Sequence, residues 1–178
     1  MVNYNVINTI GNPSGHLYNS KCTTLLQPNA KKQVSKPDSP EVVEIKTKAQ
    51  EVLESRKNVN NLVDIIARLD TGEKTDVVMA AVQGLKRVLV SALEKGEVGN
   101  DVEGGEDVDS KLNAWMAERL QEGSKKLASL IHHPKTSVTS LVLAAITALL
   151  KAAWHSSGKT NKWGQVLLKI ICSVSCLI

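Results

Sequence analysis

The stretch nearest to a recognisable chemistry is Ser156-Ser157-Gly158-Lys159-Thr160, which looks like the end of a phosphate-binding loop. Such a loop cradles phosphates with backbone N–H groups and a lysine, and it follows a β-strand. It also needs a glycine at position 153, where this chain has alanine, and a helical pattern precedes it. Gly158, Lys159 and Thr160 therefore carry only an alternative, nucleotide-binding reading. His132-His133 could ligate a metal, but adjacent histidines rarely face one ion, and no carboxylate or thiol stands at helical spacing to complete a site. They read as a polar helix end. Cys22, Cys172 and Cys176 are an odd number without zinc-ligand spacing, so reduced thiols are expected. No nucleophile elbow or Cys-His-Asn pattern occurs. No catalytic, cofactor-binding or metal-binding residue is assigned, and no cofactor or small-molecule substrate is expected.

What remains is charge. Lys125, Lys126 and Lys135 form the candidate basic contact, with Lys31, Lys32 and Lys36 a second cluster. Residues 97–109 carry a net charge of −6 and no basic side chain, which suits a solvated loop or a contact for a basic partner. Trp115 and Met116 read as core. One of Trp154 and Trp163 is expected to be an exposed anchor.

These residues need elements to hold them. Residues 1–37, rich in Asn, Ser, Thr, Pro and Lys, show no sustained period and read as a disordered leader. Order begins at Ser39-Pro40-Glu41, with a capping serine, a proline suited to the first turn and an acid at the positive helix end. Five apolar stripes follow at helical spacing: Val42 to Leu53, Val59 to Leu69, Val78 to Leu93, Leu112 to Ile131 and Val138 to Leu150. Val63 belongs to the second stripe. Ser110 is the expected cap of the fourth helix, and Thr75 that of the third. Gly84 inside the third helix predicts a close helix contact, and Gly96 a left-handed helix end. Residues 97–109 make a loop too long for a mere connector.

The fold class is thus all-α: a five-helix antiparallel domain over 38–155, similar to HEAT or armadillo repeats, in which the fourth and fifth helices pair at His133-Pro134. No fixed repeat period is visible. Residues 156–178 read as an atypical apolar tail. Its run from Gln165 to Ile178 is shorter than the roughly 20 apolar residues of a membrane span, and Lys169 interrupts it. Residues 1–17 lack the marks of a signal peptide, so no membrane partner is expected.

Composition agrees. The chain has 178 residues, 42% hydrophobic and 22% charged, with no Phe, two Tyr and three Trp. An aromatic base-stacking platform is excluded, and an aliphatic core of packed helices is favoured.

Three blocks carry a family likeness: Glu54 to Leu69, Ala81 to Glu97, and Lys111 through His132-His133-Pro134 to Ala152. In order and spacing they resemble the amino-terminal region of the nucleolar complex protein four family, over roughly residues 41–154. The resemblance implies a non-enzymatic helical scaffold of the nucleus and nucleolus. It would act in small-subunit assembly and rRNA processing, paired with another assembly-factor protein and with weak or indirect pre-rRNA contact. Residues 1–36 and the chain beyond His155 depart from the family pattern. The expectation is accordingly a truncated fragment whose residues 156–178 are non-native. A generic helical adaptor without a ribosomal role is the other alternative.

Overall fold

The computed structural model describes residues 37–98, 108–156 and 162–175. Among the described residues the regular elements are all helices, with no strand. Their helices are α1 (Pro40–Glu54), α2 (Asn61–Ala67), α3 (Thr75–Glu94), α4 (Val108–Ser129), α5 (Thr136–Ser156) and α6 (Lys162–Ser175), with 3-10 turns at Arg56–Asn58 and Leu130–His132.

α1 starts as its sequence dictates. The Ser39 hydroxyl accepts the Val42 N–H at 3.4 Å, Pro40 opens the first turn and Glu41 lies within it. Val42, Ile45 and Ala49 are buried. Ser55 ends the helix in extended conformation and its hydroxyl accepts the Lys57 N–H, starting the next turn. In α2 the stripe differs from expectation. Leu62, Ile65, Ile66 and Leu69 are buried, whereas Val63 is exposed. Seven residues make only two turns, and Ile65 with Ile66 covers the core more fully than Val63 could.

α3 is the central element. Lys74, extended, holds its cap position, so Thr75 is the first helical residue and not the cap. Eleven of its residues are buried. Gly84 lets α1 approach closely: a Cβ there would lie 3.1 Å from the Ala49 Cβ. Gly96, at φ +70°, closes the helix. Its N–H reaches the Leu93 carbonyl at 3.1 Å, and the Glu97 N–H reaches Ala92 at 2.9 Å. These are the paired bonds of a Schellman end, which need a left-handed residue.

α4 starts at Val108, two residues before the expected Ser110 cap. Met116, Leu120, Gly123, Ser124 and Leu127 are buried along it, and Trp115 packs half-buried against the core. A Cβ on Gly123 would meet Leu85 Cδ2 of α3 at 3.0 Å. The buried Ser124 hydroxyl donates to the Leu120 carbonyl at 2.6 Å, so its burial leaves no unpaired group.

The packing has two rows. α3 makes its most extensive contacts with α5 and α1, giving a row α1–α3–α5, while α2–α4–α6 make a second row. Each odd helix also touches the even helix that follows it. The domain is therefore three stacked helix pairs, α1/α2, α3/α4 and α5/α6. One expectation is corrected here. There are six helices and not five, because α6 lies where an atypical tail was read. Its Leu167 and Ile170 are buried, and it packs on α4 and α5. The fourth helix and its closing 3-10 turn, Leu130–His132, meet α5 across His133-Pro134.

By length and composition α5 could cross a membrane, with mean hydropathy 1.6 over Thr136–His155. Val138, Val142, Ala145, Leu149 and Ala153 bury its inner face, which reads as the core helix of a helical stack.

Candidate functional site

Lys125 and Lys126 lie in the last two turns of α4, and Lys135 immediately precedes α5. The three-residue link 133–135 keeps all three at one end of the α4–α5 corner. Lys125 and Lys135 are exposed and Lys126 is half-buried. None forms an ion pair among the described residues. Hydrogen bonds of His133 hold the corner. His133 is buried, its Nδ1 accepts the Lys135 N–H at 3.1 Å, and its carbonyl accepts the Thr139 hydroxyl at 3.1 Å. The tautomer consistent with this has the ring proton on Nε2. His132 stays exposed in the 3-10 turn. His133 is thus a structural corner post more than the polar helix end expected of it.

The opposite end of α4 is clamped by Arg56. Its guanidinium donates to Glu97 at 2.9 and 3.2 Å and to Asp109 at 3.1 Å. The Glu97 hydrogen bond and charge hold it above its ordinary pKa, with Asp109 adding to this. Glu97 and Asp109 are the two ends of the acidic stretch, so one arginine ties both. Residues 99–107 between them lie outside the described residues, as do Gly158, Lys159 and Thr160, His16, Cys22, Cys176 and the leader. Sequence reasoning missed the clamp. Arg56 stands in a short turn whose only signal was the chain break after α1.

The remaining charges form an exposed lattice on the first pairs. Lys48 bridges Glu44 and Asp64 at 2.8 Å each, Arg68 meets Glu73, and Lys74 meets Glu41. The Lys48 hydrogen bond and charge hold the Glu44 carboxyl below its usual range, while Asp64 first and Glu44 second hold Lys48 above its own. Arg119 lies over the Trp115 ring, 5.5 Å from its centre, and pairs with Glu122. Among the described residues no group of three or more His, Cys, Asp or Glu side chains could hold a metal ion. Cys172 is exposed and free. A shallow cleft of about 330 Å³ runs between α3 and α5, lined by Val90, Glu94, Ala148, Lys151, Ala152 and His155. Trp154 beside it is 63% exposed, while Trp163 packs half-buried on the core.

Stacked helix pairs with charged ends are a protein-binding architecture, and the comparison with known families is specific. The family model described as Nucleolar complex protein 4-like, TPR repeats, matches residues 33–175. The chain belongs to this family. Nucleolar complex protein 4-like repeats extend in the match through α6, past the His155 limit drawn from the sequence. The family description names tetratricopeptide-type repeats where the pattern resembled HEAT or armadillo; all are stacked helix pairs. The first two pairs start 35 residues apart, at 40 and 75, near the 34 of that repeat. The third starts 61 residues later, at 136, because α3, α4 and the acidic stretch lengthen the second pair.

Two Xenopus laevis proteins, Nucleolar complex protein 4 homolog B and homolog A, are each 27% identical to the chain over 128 residues. The match covers 67% of this chain and 24% of each relative, so the chain spans about a quarter of their length. No solved structure gives a significant match.

Proposed function

We propose that the chain is a non-enzymatic helical interaction module. It works in the nucleolus during small ribosomal subunit assembly and rRNA processing, held against another assembly-factor protein. The observation that carries this reading is the family match over the three stacked pairs. The module runs from α1 through α6, with the leader and the acidic stretch as appendages. The Lys125, Lys126 and Lys135 corner touches pre-rRNA phosphates weakly, beside the main protein contact.

Localisation of the tagged chain tests the cellular half: enrichment in nucleoli is expected, and exclusion from them would overturn it. Filter binding tests the corner. Three lysines that neutralise three phosphates give an affinity loss of about 20- to 40-fold between 50 and 200 mM salt. A chain with all three changed to Ala should lose most of that salt dependence. An unchanged slope removes the corner from the proposal.

A further inference from the structure

Proline occurs five times in the chain, and only Pro40 follows a serine or threonine. With Pro37 two residues ahead of it, Ser39 stands in the pattern Pro37-Asp38-Ser39-Pro40. A proline after the serine brings no backbone N–H. A binding cleft without an acceptor at that place therefore takes proline and strands the N–H of any other residue. Prolines on both sides also hold the segment extended, since each fixes its own φ and restricts the residue before it. This is the pattern that proline-directed protein kinases read.

The fold presents these residues as such an enzyme needs them. Pro37 to Ser39 lie ahead of α1, and Ser39 is extended at φ −65° and ψ 154°. Pro37, Asp38 and Pro40 are exposed, and Ser39 is half-buried. The turn that follows is easily opened. Pro40 has no N–H to release, and two N–H groups turn back on Ser39: that of Val42 to its hydroxyl at 3.4 Å, and that of Val43 to its carbonyl at 3.1 Å. Ser129 makes the contrast. It follows Lys125-Lys126, a pattern that base-directed kinases read, but Leu127, Ala128 and Leu130 around it are fully buried. Reaching it would open the core.

We propose that Ser39 is a phosphorylation site for a proline-directed kinase, and that the first turn of α1 and Lys46 hold the phosphate. ATP supplies the phosphoryl group. The Ser39 oxygen bonds to the γ-phosphorus as the bond from that phosphorus to the β,γ-bridging oxygen breaks; ADP leaves, and the hydroxyl proton passes to the kinase's carboxylate base. The product carries three strong acceptor oxygens and a charge of about −1.5 to −2. The Val42 N–H, weakly held by the hydroxyl, then meets a charged acceptor at the positive end of a 15-residue helix. Lys46 stands seven residues on, hence on the same helix face, and its ammonium already reaches Asp38 beside Ser39. The phosphate competes for that ammonium with the greater charge. Lys74, paired with Glu41, brings a second cation to the same turn. This site stands apart from the lysine corner and from the nucleolar reading.

The test is incubation of the full chain with ATP and a purified kinase of the mitogen-activated class, followed by intact mass. One phosphoryl group per chain is expected, mapped to Ser39 by fragmentation. Pro40→Ala, which keeps the capping hydroxyl, should slow the transfer about tenfold or more, and Ser39→Ala should abolish it. No incorporation, or incorporation that survives Ser39→Ala, overturns the site. Phosphorus NMR then reads the product. An ordinary phosphoserine takes up its second proton at about pH 6, and the Val42 N–H and Lys46 should move that midpoint lower. Lys46→Ala should return it part of the way. A phosphate that titrates at the ordinary value, or that ignores Lys46→Ala, overturns its proposed seat. Pro40 and Lys46 are exposed, so circular dichroism should be unchanged in both variants.

Discussion

Two buried glycines separate two kinds of close contact. A Cβ at Gly84 meets the Ala49 methyl at 3.1 Å, which has no torsion by which to move away, so α1 itself must shift. A Cβ at Gly123 meets the far end of Leu85, a flexible side chain. Alanine gains about 1 kcal/mol of helix propensity over glycine at either site, against an overpacking cost of about 1–3 kcal/mol. Gly84→Ala should therefore lower stability by about 1 kcal/mol, and Gly123→Ala should stay within about 0.5 kcal/mol of the parent. Urea midpoints measure both. Among exposed charges, Lys48 holds Glu44 low. A depressed carboxyl stabilises the fold above its unfolded pKa, and that contribution fades as pH falls through the lower folded value. Lys48→Ala should move the Glu44 titration upward, read by carboxyl carbon NMR. A shift in the other direction would show that Lys48 is not the cause.

The elements were unevenly legible in the sequence. Stripes such as Val42-Ile45-Ala49 and Leu85-Val88-Leu89 stand out because burial on one face leaves a 3.6-residue period. Val63 fits that period as well as Ile65 does, and only packing decides between them. The paired rows were hidden because pair lengths differ, so no fixed repeat shows. α6 reads as a tail in sequence because it is short, fourteen residues after the Ser156-Ser157-Gly158 break, although Leu167 and Ile170 mark one buried face at helical spacing. Of the candidate site, the lysine cluster was legible as composition, but the Arg56 clamp joins residues 41 and 53 positions apart. Such contacts leave no local trace. Gly96→Ala should cost about 1 kcal/mol through its left-handed φ, seen as a lower thermal midpoint. Leu167 is 2% exposed, so Leu167→Ala should cost about 2–5 kcal/mol. Denaturation unchanged by that substitution would return α6 to the status of a passive tail.

At the scale of the whole molecule, order along the row α1–α3–α5 is also order in time. The α1, α2 and α3 segments are complete once Glu94 has been made, yet the flank of α3 facing α5, with Val90 in it, is covered only when Ser156 has followed. At roughly 5–20 residues per second, those 62 residues take about 3–12 s to synthesise. For that interval a nascent chain shows an open apolar seam at its middle helix. A chaperone thus has seconds in which to hold α3 before the chain's own fifth helix arrives.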